Sequence, residues 1–223
     1  MSHYRIVVFH DKDPDRLLLP YSETNRDYFV FEQVSQEEID EAWKKFSAMN
    51  PTWTYEHYRE EHYHYDESTG QWGNFYNPNT RYDYCTELWI EDEYQMKEGE
   101  QFSDDFGHFH KSQVDWYYHP TKHSEAELRE EWKQYSTKGD GFWLPEYYLE
   151  SYGTEEQWVK EMLRPPTPYA FVTPDGVWHA PGKVGWFAIS DDTAKSRDAY
   201  WEEWKAFIDS DRDCFVSLYD CHI

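Results

Sequence analysis

The sequence has few cysteines, few basic side chains and no long apolar run. Its three cysteines, Cys85, Cys214 and Cys221, form an odd set without paired spacing, which favours free thiols in a reducing cytosol over a disulfide framework. No apolar stretch approaches the roughly 20 residues that a membrane helix needs. The short apolar run at residues 6–9 is also too brief for a signal peptide. We therefore expect a cytoplasmic protein without a membrane-embedded segment.

Basic side chains are outnumbered by acidic ones, with 21 Lys and Arg against 45 Asp and Glu and a formal net charge of −24. A surface this acidic repels nucleic acid and anionic membranes, and it attracts basic surfaces. Direct binding of nucleic acid is therefore not expected. The partner that the charge favours is a protein with a basic, nucleic-acid-binding surface, and the competing explanation of the charge is solubility alone.

Several catalytic motifs are also missing. The sequence contains no glycine-rich phosphate loop, no Walker motif and no Gly-x-Ser-x-Gly nucleophile motif. These absences argue against a P-loop nucleotide hydrolase and against a serine hydrolase of the α/β type. Enzymatic activity stays open at this point, with the balance against it.

Aromatic residues are abundant, with 12 Trp, 20 Tyr and 13 Phe making up 20% of the chain. The mean hydropathy of −1.04 would by itself suggest disorder. Large rings bury much surface, however, and Tyr and Trp also carry a polar group that can find a partner. We therefore predict a single folded domain over residues 1–223, with an aromatic-rich core and an acidic surface.

Helices are predicted where a capping signal precedes apolar residues at helical spacing. Ser35 and Glu38 form a capping box ahead of a helix from about Glu37 to Met49. Three further helices are predicted to begin at Ser124, at Thr154, and at Asp192 or Thr193.

Strands are predicted near both ends of the chain and in a hairpin at Tyr169–His179. Pro174-Asp175-Gly176 supplies the turn of this hairpin, because Pro presets φ and Gly accepts a positive φ. Gly182 and Gly185 then leave room for a close backbone approach. Strands and helices alternate without regular βαβ spacing, so we predict an α+β fold with a mixed or antiparallel sheet and about four helices.

The most acidic part of the chain is residues 91–106, which we predict to be an exposed loop or insertion. Carboxylates spaced along a surface can imitate the phosphates of a duplex and occupy a basic channel, where aromatic side chains anchor the contact. The competing interpretation is an ordinary solvated surface. The predicted binding residues are Glu91, Asp92, Glu93, Glu98, Glu100, Asp104 and Asp105.

Histidines recur in pairs, and the first pair is a candidate metal site. His62, His64 and Asp66 lie on one face if residues 53–68 are extended, although the same segment also fits a helix. Such a set suits zinc or iron, because neutral imidazoles can converge on one ion. The set is partly similar to the H-x-H-x-D-H motif of metallo-β-lactamase-fold hydrolases, but Glu67 stands where the last histidine belongs.

His108 and His110 form a second pair of the same kind. With 11 histidines in the chain, such pairs also arise by chance. The default prediction is therefore a protein without a cofactor, and a transition metal is the one cofactor to test for. If the pairs hold a metal, they indicate a metal-dependent hydrolase acting on nucleotides or nucleic acid.

A cysteine-based site is a further alternative near the C-terminal end. If the hairpin and the last strand are neighbours in one sheet, His179 lies close to Asp220, Cys221 and His222. A cysteine beside a histidine and an aspartate can act as a nucleophile. Free cysteine is more often simply buried, so packing is the competing interpretation of Cys221.

Three motifs are distinctive in combination. An early strand and acidic turn lead into Leu17–Tyr21, the middle of the chain carries Asn-Pro-Asn-Thr-Arg-Tyr-Asp-Tyr at 77–84, and the C-terminal part combines Gly-Lys-Val-Gly-Trp-Phe at 182–187 with Asp-Cys-His-Ile at 220–223. Together they resemble a family of uncharacterised proteins common in bacteriophage and prophage genomes. That family usually continues the middle motif with Gly-Gly-Arg-Trp, where this chain has Thr86-Glu87-Leu88-Trp89, so any anion-binding arginine there is missing. The resemblance implies a phage origin and no particular chemistry.

These observations combine into one functional hypothesis. We expect a phage-encoded acidic binding protein that inhibits or redirects a host nucleic-acid-handling complex, such as a defence nuclease or a polymerase. The net charge of −24 and the absence of a convincing catalytic set support an inhibitor of the nucleic-acid-mimic, anti-defence type. The alternative is the metal-dependent hydrolase that uses the histidine pairs.

Overall fold

The computed structural model describes residues 3–11, 13–100, 103, 108–119, 123–183 and 190–222. Over this part of the chain, the α-helices are α1 (Pro14–Leu18), α2 (Gln36–Met49), α3 (Tyr55–His62), α4 (Glu125–Lys138), α5 (Pro145–Tyr152), α6 (Glu155–Met162) and α7 (Ala194–Ile208). The strands are β1 (His3–His10), β2 (Val30–Gln33), β3 (His64–Asp66), β4 (Gln71–Tyr76), β5 (Cys85–Leu88), β6 (Phe109–His110), β7 (Ala170–Val172), β8 (Trp178–His179) and β9 (Phe215–His222).

The chain divides into two compact units, one made of Met1–Leu18 and Tyr82–Ile223 and the other of Leu19–Arg81. The first unit contains a mixed sheet with the strand order β5-β9-β1-β7-β8, in which β6 also pairs with β9. The second contains the antiparallel sheet β2-β4-β3. The predicted α+β class and mixed sheet are confirmed, with seven α-helices over the described residues instead of about four. The assignment of the whole chain to one domain stays a prediction.

All four predicted helix starts are confirmed. Ser35 and Ser124 each form a complete capping box, in which the serine accepts from a backbone N–H and a glutamate side chain reaches back. Thr154 and Thr193 cap α6 and α7 in the same position. The additional helix α5 has Pro145 in its first turn and no side-chain cap, so the capping signal that identifies the others is missing from its sequence.

Strand β1 is the centre of the sheet in the first unit. It pairs antiparallel with β9 along its whole length and parallel with β7 on its other side. Ile6, Val7 and Val8 are fully buried, although successive side chains point to opposite faces of a strand. A continuous apolar run of this kind is typical of a strand that is covered on both faces.

Helix α7 packs against one face of this sheet through an aromatic cluster. Trp204 is 1% exposed, and its ring lies 5.8 Å from that of Phe9, 5.3 Å from that of Trp116 and 5.4 Å from that of Phe171. Tilted and edge-on contacts at these distances are the favourable arrangements for aromatic pairs. The predicted aromatic-rich core is confirmed here.

A buried lysine donates hydrogen bonds to oxygen atoms at the C-terminal end of α7. Lys111 is 5% exposed, and its ammonium donates to the carbonyls of Phe207 (2.9 Å) and Ser210 (2.8 Å) and to the Ser210 hydroxyl (3.1 Å). Phe207 O also accepts from the Ser210 N–H (3.2 Å) in this C-terminal turn. The negative end of the helix dipole favours a cation at this position. Burial nevertheless lowers the pKa of Lys111, because it disfavours the charged form.

The predicted hairpin is confirmed as β7 and β8. Phe171 pairs with His179 and Val172 with Trp178, and Gly176 in the turn has φ of 82°. The turn is closed by hydrogen bonds from Thr173 N–H to Val177 O (3.0 Å) and from Gly176 N–H to Thr173 O (2.8 Å). All three residues of the first strand are buried, and the strand is an inner one of the sheet that pairs with β1 on one edge and β8 on the other.

Gly182 occupies a position without room for a side chain, as its place after the hairpin predicts. A Cβ atom there would lie 2.5 Å from Asp191 Oδ1 and 2.7 Å from Asp192 N. The Gly182→Ala variant is expected to lower the free energy of unfolding by about 1–3 kcal/mol, because the neighbouring backbone must move. Urea denaturation measures the loss, and an unchanged midpoint would contradict the close approach. The second predicted glycine, Gly185, lies outside the described residues.

Cys85 and Cys221 form a disulfide, so the expectation of free thiols is wrong for this pair. The two residues are 136 apart in the sequence but directly opposite each other on β5 and β9, with Cα atoms 4.1 Å apart. Only the strand register creates this proximity, which is why the spacing in the sequence does not reveal it. Cys214 is free and buried in the core.

In the second unit, helices α2 and α3 contact each other through aromatic side chains. The ring of Tyr58 lies 5.4 Å from that of Trp43 and 4.8 Å from that of Phe46. Segment 53–68 forms helix α3 in its first part and strand β3 in its second part. The helical and the extended pattern in its sequence therefore each describe one part of it. Thr54 starts the helix as its N-cap, which the sequence analysis did not single out.

Candidate functional site

The acidic segment of the first unit is anchored by its own apolar residues. Ile90 is 4% exposed, and the ring of Tyr94 lies 5.0 Å from that of Trp116 in the core. Met96 forms a β-bridge with Val114, and adjacent backbone hydrogen bonds flank that bridge. The intervening acidic side chains are therefore exposed on a segment that the core holds in place.

Five of the seven predicted binding residues lie within the described residues, and all five are exposed. Glu93 accepts a hydrogen bond from Arg5 Nε (3.1 Å), and Glu100 accepts one from Gln113 Nε2 (2.8 Å). Asp104 and Asp105 lie outside the described residues. We call the five residues the acidic strip: Glu91, Asp92, Glu93, Glu98 and Glu100.

A second exposed feature of this unit is apolar. Phe142 is 83% exposed and Leu144 is 71% exposed, and the Trp143 ring stacks on that of Tyr147 at 4.4 Å. Contiguous exposed apolar side chains commonly mark a site of interaction with another molecule. We call the group the aromatic patch: Phe142, Trp143, Leu144, Tyr147 and Leu149.

The aromatic patch projects from a structured turn. Asp140 Oδ1 accepts hydrogen bonds from the backbone N–H groups of Phe142 (2.9 Å) and Trp143 (2.7 Å). These bonds, the one from Trp143 above all, lower the pKa of Asp140. Glu146 and Glu150 are exposed on the following helix α5, so carboxylates accompany the apolar side chains. The patterns used to predict helices and strands did not identify the patch, although the apolar run at 142–144 was its signal.

The first histidine pair does not form a cluster of metal ligands. His62 ends helix α3, where its Nδ1 lies 2.9 Å from Tyr58 O. His64 follows on β3 and is exposed. Asp66 is engaged in a turn, where hydrogen bonds from Thr69 and Ser68 lower its pKa.

The second histidine pair has separate partners. His108 Nε2 lies 3.4 Å from Glu87 Oε1, whereas His110 Nδ1 lies 3.1 Å from Asp213 Oδ1. Among the described residues, neither predicted pair belongs to a group of three converging ligands. Metal binding by either pair therefore stays a prediction.

Three other side chains meet at one end of the first unit's sheet. His3 Nδ1 lies 2.9 Å from Asp220 Oδ2, and His222 Nε2 lies 3.8 Å from the same oxygen. Arg5 Nη1 lies 2.6 Å from the other carboxylate oxygen, Oδ1. The strand register explains this arrangement, because His3 pairs with His222 and Arg5 with Asp220, two positions apart on one face. The sequence analysis missed His3 and Arg5.

This cluster, made of His3, Asp220 and His222, is covered on one side and open on the other. The His222 side chain is 9% exposed, that of Asp220 is 18% exposed and that of His3 is 55% exposed. The His222 ring stacks on Tyr84 at 4.0 Å, and its backbone N–H donates to Tyr84 O (2.9 Å). Burial opposes ionisation of Asp220, but hydrogen bonds from His3 and Arg5 outweigh it and lower its pKa.

The predicted cysteine site does not form. Cys221 is bonded to Cys85 and therefore offers no thiol. His179 lies on β8, which β1 and β7 separate from β9. Its Nδ1 lies 3.0 Å from Glu203 Oε2 instead. The hairpin and the last strand share one sheet, but they are not neighbours in it, so the condition for this site is not met.

No protein-family model, curated protein or solved structure matches this chain. Over the described residues, no helix combines the length and the apolar composition that crossing a membrane requires.

Proposed function

We propose that this chain is an acidic binding protein whose partner is a protein with a basic, nucleic-acid-binding surface. The observation that carries this proposal is the acidic strip, whose exposed carboxylates are held on a segment anchored in the core. An anchored backbone does not have to be ordered on binding, so the conformational cost is limited to the acidic side chains themselves, which suits electrostatic recognition of a basic groove. The phage-type motifs favour a host complex as the partner and inhibition or redirection as the outcome.

The charge of the whole chain supports the same partner. A formal net charge of −24 attracts basic surfaces over long distances and increases the rate of encounter with them. Charge alone gives a short-lived contact, however, and tight interfaces usually contain buried aromatic anchors surrounded by polar groups. The aromatic patch, accompanied by Glu146 and Glu150, offers such anchors.

The proposal predicts binding that depends strongly on salt and competes with nucleic acid. Proteins captured on the immobilised chain from a nuclease-treated bacterial lysate are purified and then bound to a fluorescent DNA duplex. The chain is expected to displace the duplex, and its affinity is expected to fall at least about tenfold between roughly 50 and 200 mM salt. Partners that do not bind nucleic acid, or binding that salt leaves unchanged, would contradict the proposal.

Charge reversal tests the location of the contact. Glu91→Lys, Asp92→Lys and Glu98→Lys in one chain are expected to weaken binding at least about tenfold, since attraction becomes repulsion. Glu93 is left unchanged because it contacts Arg5. The matched control changes the net charge equally at three exposed residues of the second unit, with Glu32→Lys, Glu37→Lys and Glu41→Lys. Equal weakening by both variants would assign the effect to net charge and exclude the strip.

A further inference from the structure

The side chains of His3, Asp220 and His222 offer two imidazole nitrogens and a carboxylate oxygen that all lie within 4.8 Å of one another. Over the described residues, this is the only such group of three or more His, Cys, Asp or Glu side chains. We propose that these three residues bind one divalent first-row transition-metal ion, with zinc as the reference ion. These are not the ligands that the sequence predicts, and the site is independent of the proposed function.

The spacing of the donor atoms fits a metal of this size. Zinc binds histidine nitrogen and carboxylate oxygen at about 2.0–2.2 Å, so two ligands at a tetrahedral angle lie about 3.3 Å apart. The His3 nitrogen lies 2.9 Å and the His222 nitrogen 3.8 Å from Asp220 Oδ2, on either side of that value. The two histidine nitrogens lie within 4.8 Å of each other, so binding requires side-chain movements that draw the donors together around the ion.

His222 supplies an independent observation. Its side chain is 9% exposed, and its Nδ1 has no hydrogen-bond partner among the described residues. Its Nε2 lies 3.8 Å from Asp220 Oδ2, which is beyond hydrogen-bonding distance. A metal ion at Nε2 supplies this largely buried ring with a polar partner at that nitrogen, while Nδ1 is not the coordinating atom.

The surroundings of Asp220 also suit a ligand. Arg5 binds Oδ1 at 2.6 Å and leaves Oδ2 towards the two histidines, as outer hydrogen bonds commonly orient a coordinating carboxylate. Glu93 lies 3.1 Å from Arg5 Nε and offsets the positive charge of the guanidinium. Asp220, Glu93 and Arg5 together therefore carry a net negative charge, which favours a bound cation.

The donor set selects the class of metal. Two imidazoles with one carboxylate suit zinc, iron, cobalt or nickel, whereas magnesium and calcium prefer oxygen ligands. Because His3 is 55% exposed, the open side of the cluster leaves positions for water or another small ligand. An arrangement of three protein ligands with open positions is typical of metal sites that exchange ligands.

Zinc titration of the full chain tests the proposal. The protein is purified without a histidine-rich tag, treated with EDTA and titrated with zinc chloride by calorimetry in the absence of reductant. One equivalent is expected to bind, and His3→Ala and Asp220→Asn are each expected to weaken binding at least about tenfold. His3→Ala carries most weight, because His3 is exposed and its loss leaves the core intact. Circular dichroism verifies that each variant is folded.

Two controls separate this site from other zinc ligands. His64→Ala and His110→Ala remove histidines of the sequence-predicted pairs and are expected to leave the affinity unchanged. A thiol titration verifies that Cys85 and Cys221 remain bonded, since free thiolates also bind zinc. Absence of zinc binding, equal affinity in wild type and both cluster variants, or loss only in the controls would overturn the proposal. None of these results would bear on binding to a basic partner.

Discussion

Reduction of the Cys85–Cys221 disulfide is expected to lower the free energy of unfolding by about 3–5 kcal/mol. The bridge joins residues 136 apart in the sequence, so it removes a large amount of conformational freedom from the unfolded chain. The native sheet is expected to persist after reduction, because the loss acts mainly on the unfolded state. Urea denaturation followed by circular dichroism, with and without a phosphine reductant, measures the difference.

A double variant isolates the contribution of the bridge. Cys85→Ala with Cys221→Ala is expected to be destabilised by a similar amount and to show no further response to the reductant. The remaining thiol, Cys214, is 3% exposed and present in both proteins, so it does not contribute to the comparison. Equal stability of the wild type with and without reductant would show that the two cysteines are not bonded in solution.

Replacement of Trp204 by alanine is expected to lower the free energy of unfolding by about 3–5 kcal/mol. This side chain is 1% exposed and contacts the rings of Phe9, Trp116 and Phe171. Its removal leaves a cavity between α7 and the central strands, and three aromatic contacts are lost together. Far-UV circular dichroism is the appropriate probe, because the chain contains 12 Trp and fluorescence would report a mixture of sites.

The matched control for Trp204 is an exposed tryptophan of the same unit. Trp89 is 57% exposed, and Trp89→Ala is expected to cost no more than about 1 kcal/mol. A similar loss in both variants would contradict the assignment of Trp204 to the centre of the core. Retained stability in Trp204→Ala would show that the surrounding rings collapse into the vacated space.

Local signals in the sequence predicted those elements whose structure depends on neighbouring residues. The capping positions at Ser35 and Ser124 are correct because the bonds they form span only three residues. The hairpin at β7 and β8 is correct for the same reason, since its turn depends on Pro174 and Gly176. Helix α5 was missed because its N-terminus has no side-chain cap and Tyr148 is its one buried side chain, so it lacks a capping signal and a clear apolar face.

The cluster of His3, Asp220 and His222 shows what local signals leave out. The sequence analysis singled out the middle motif that includes Tyr84 and the C-terminal motif that includes Asp220 and His222, but as separate features. The register of β5, β9 and β1 places them together and adds His3, which is 217 residues from Asp220. The predicted pairs have short sequence spacing but share no third ligand among the described residues, since spacing alone does not orient side chains towards one point.

The sequence by itself determined the α+β class, the acidic composition, the aromatic core and the starts of the helices α2, α4, α6 and α7. Each of these follows from composition or from interactions within a few residues, so it is present in the chain before any long-range contact forms. Tertiary structure alone decided the Cys85–Cys221 bridge, the outward position of the aromatic patch and the cluster around Asp220. These features depend on strand register and packing, which bring together residues that no periodicity in the sequence relates.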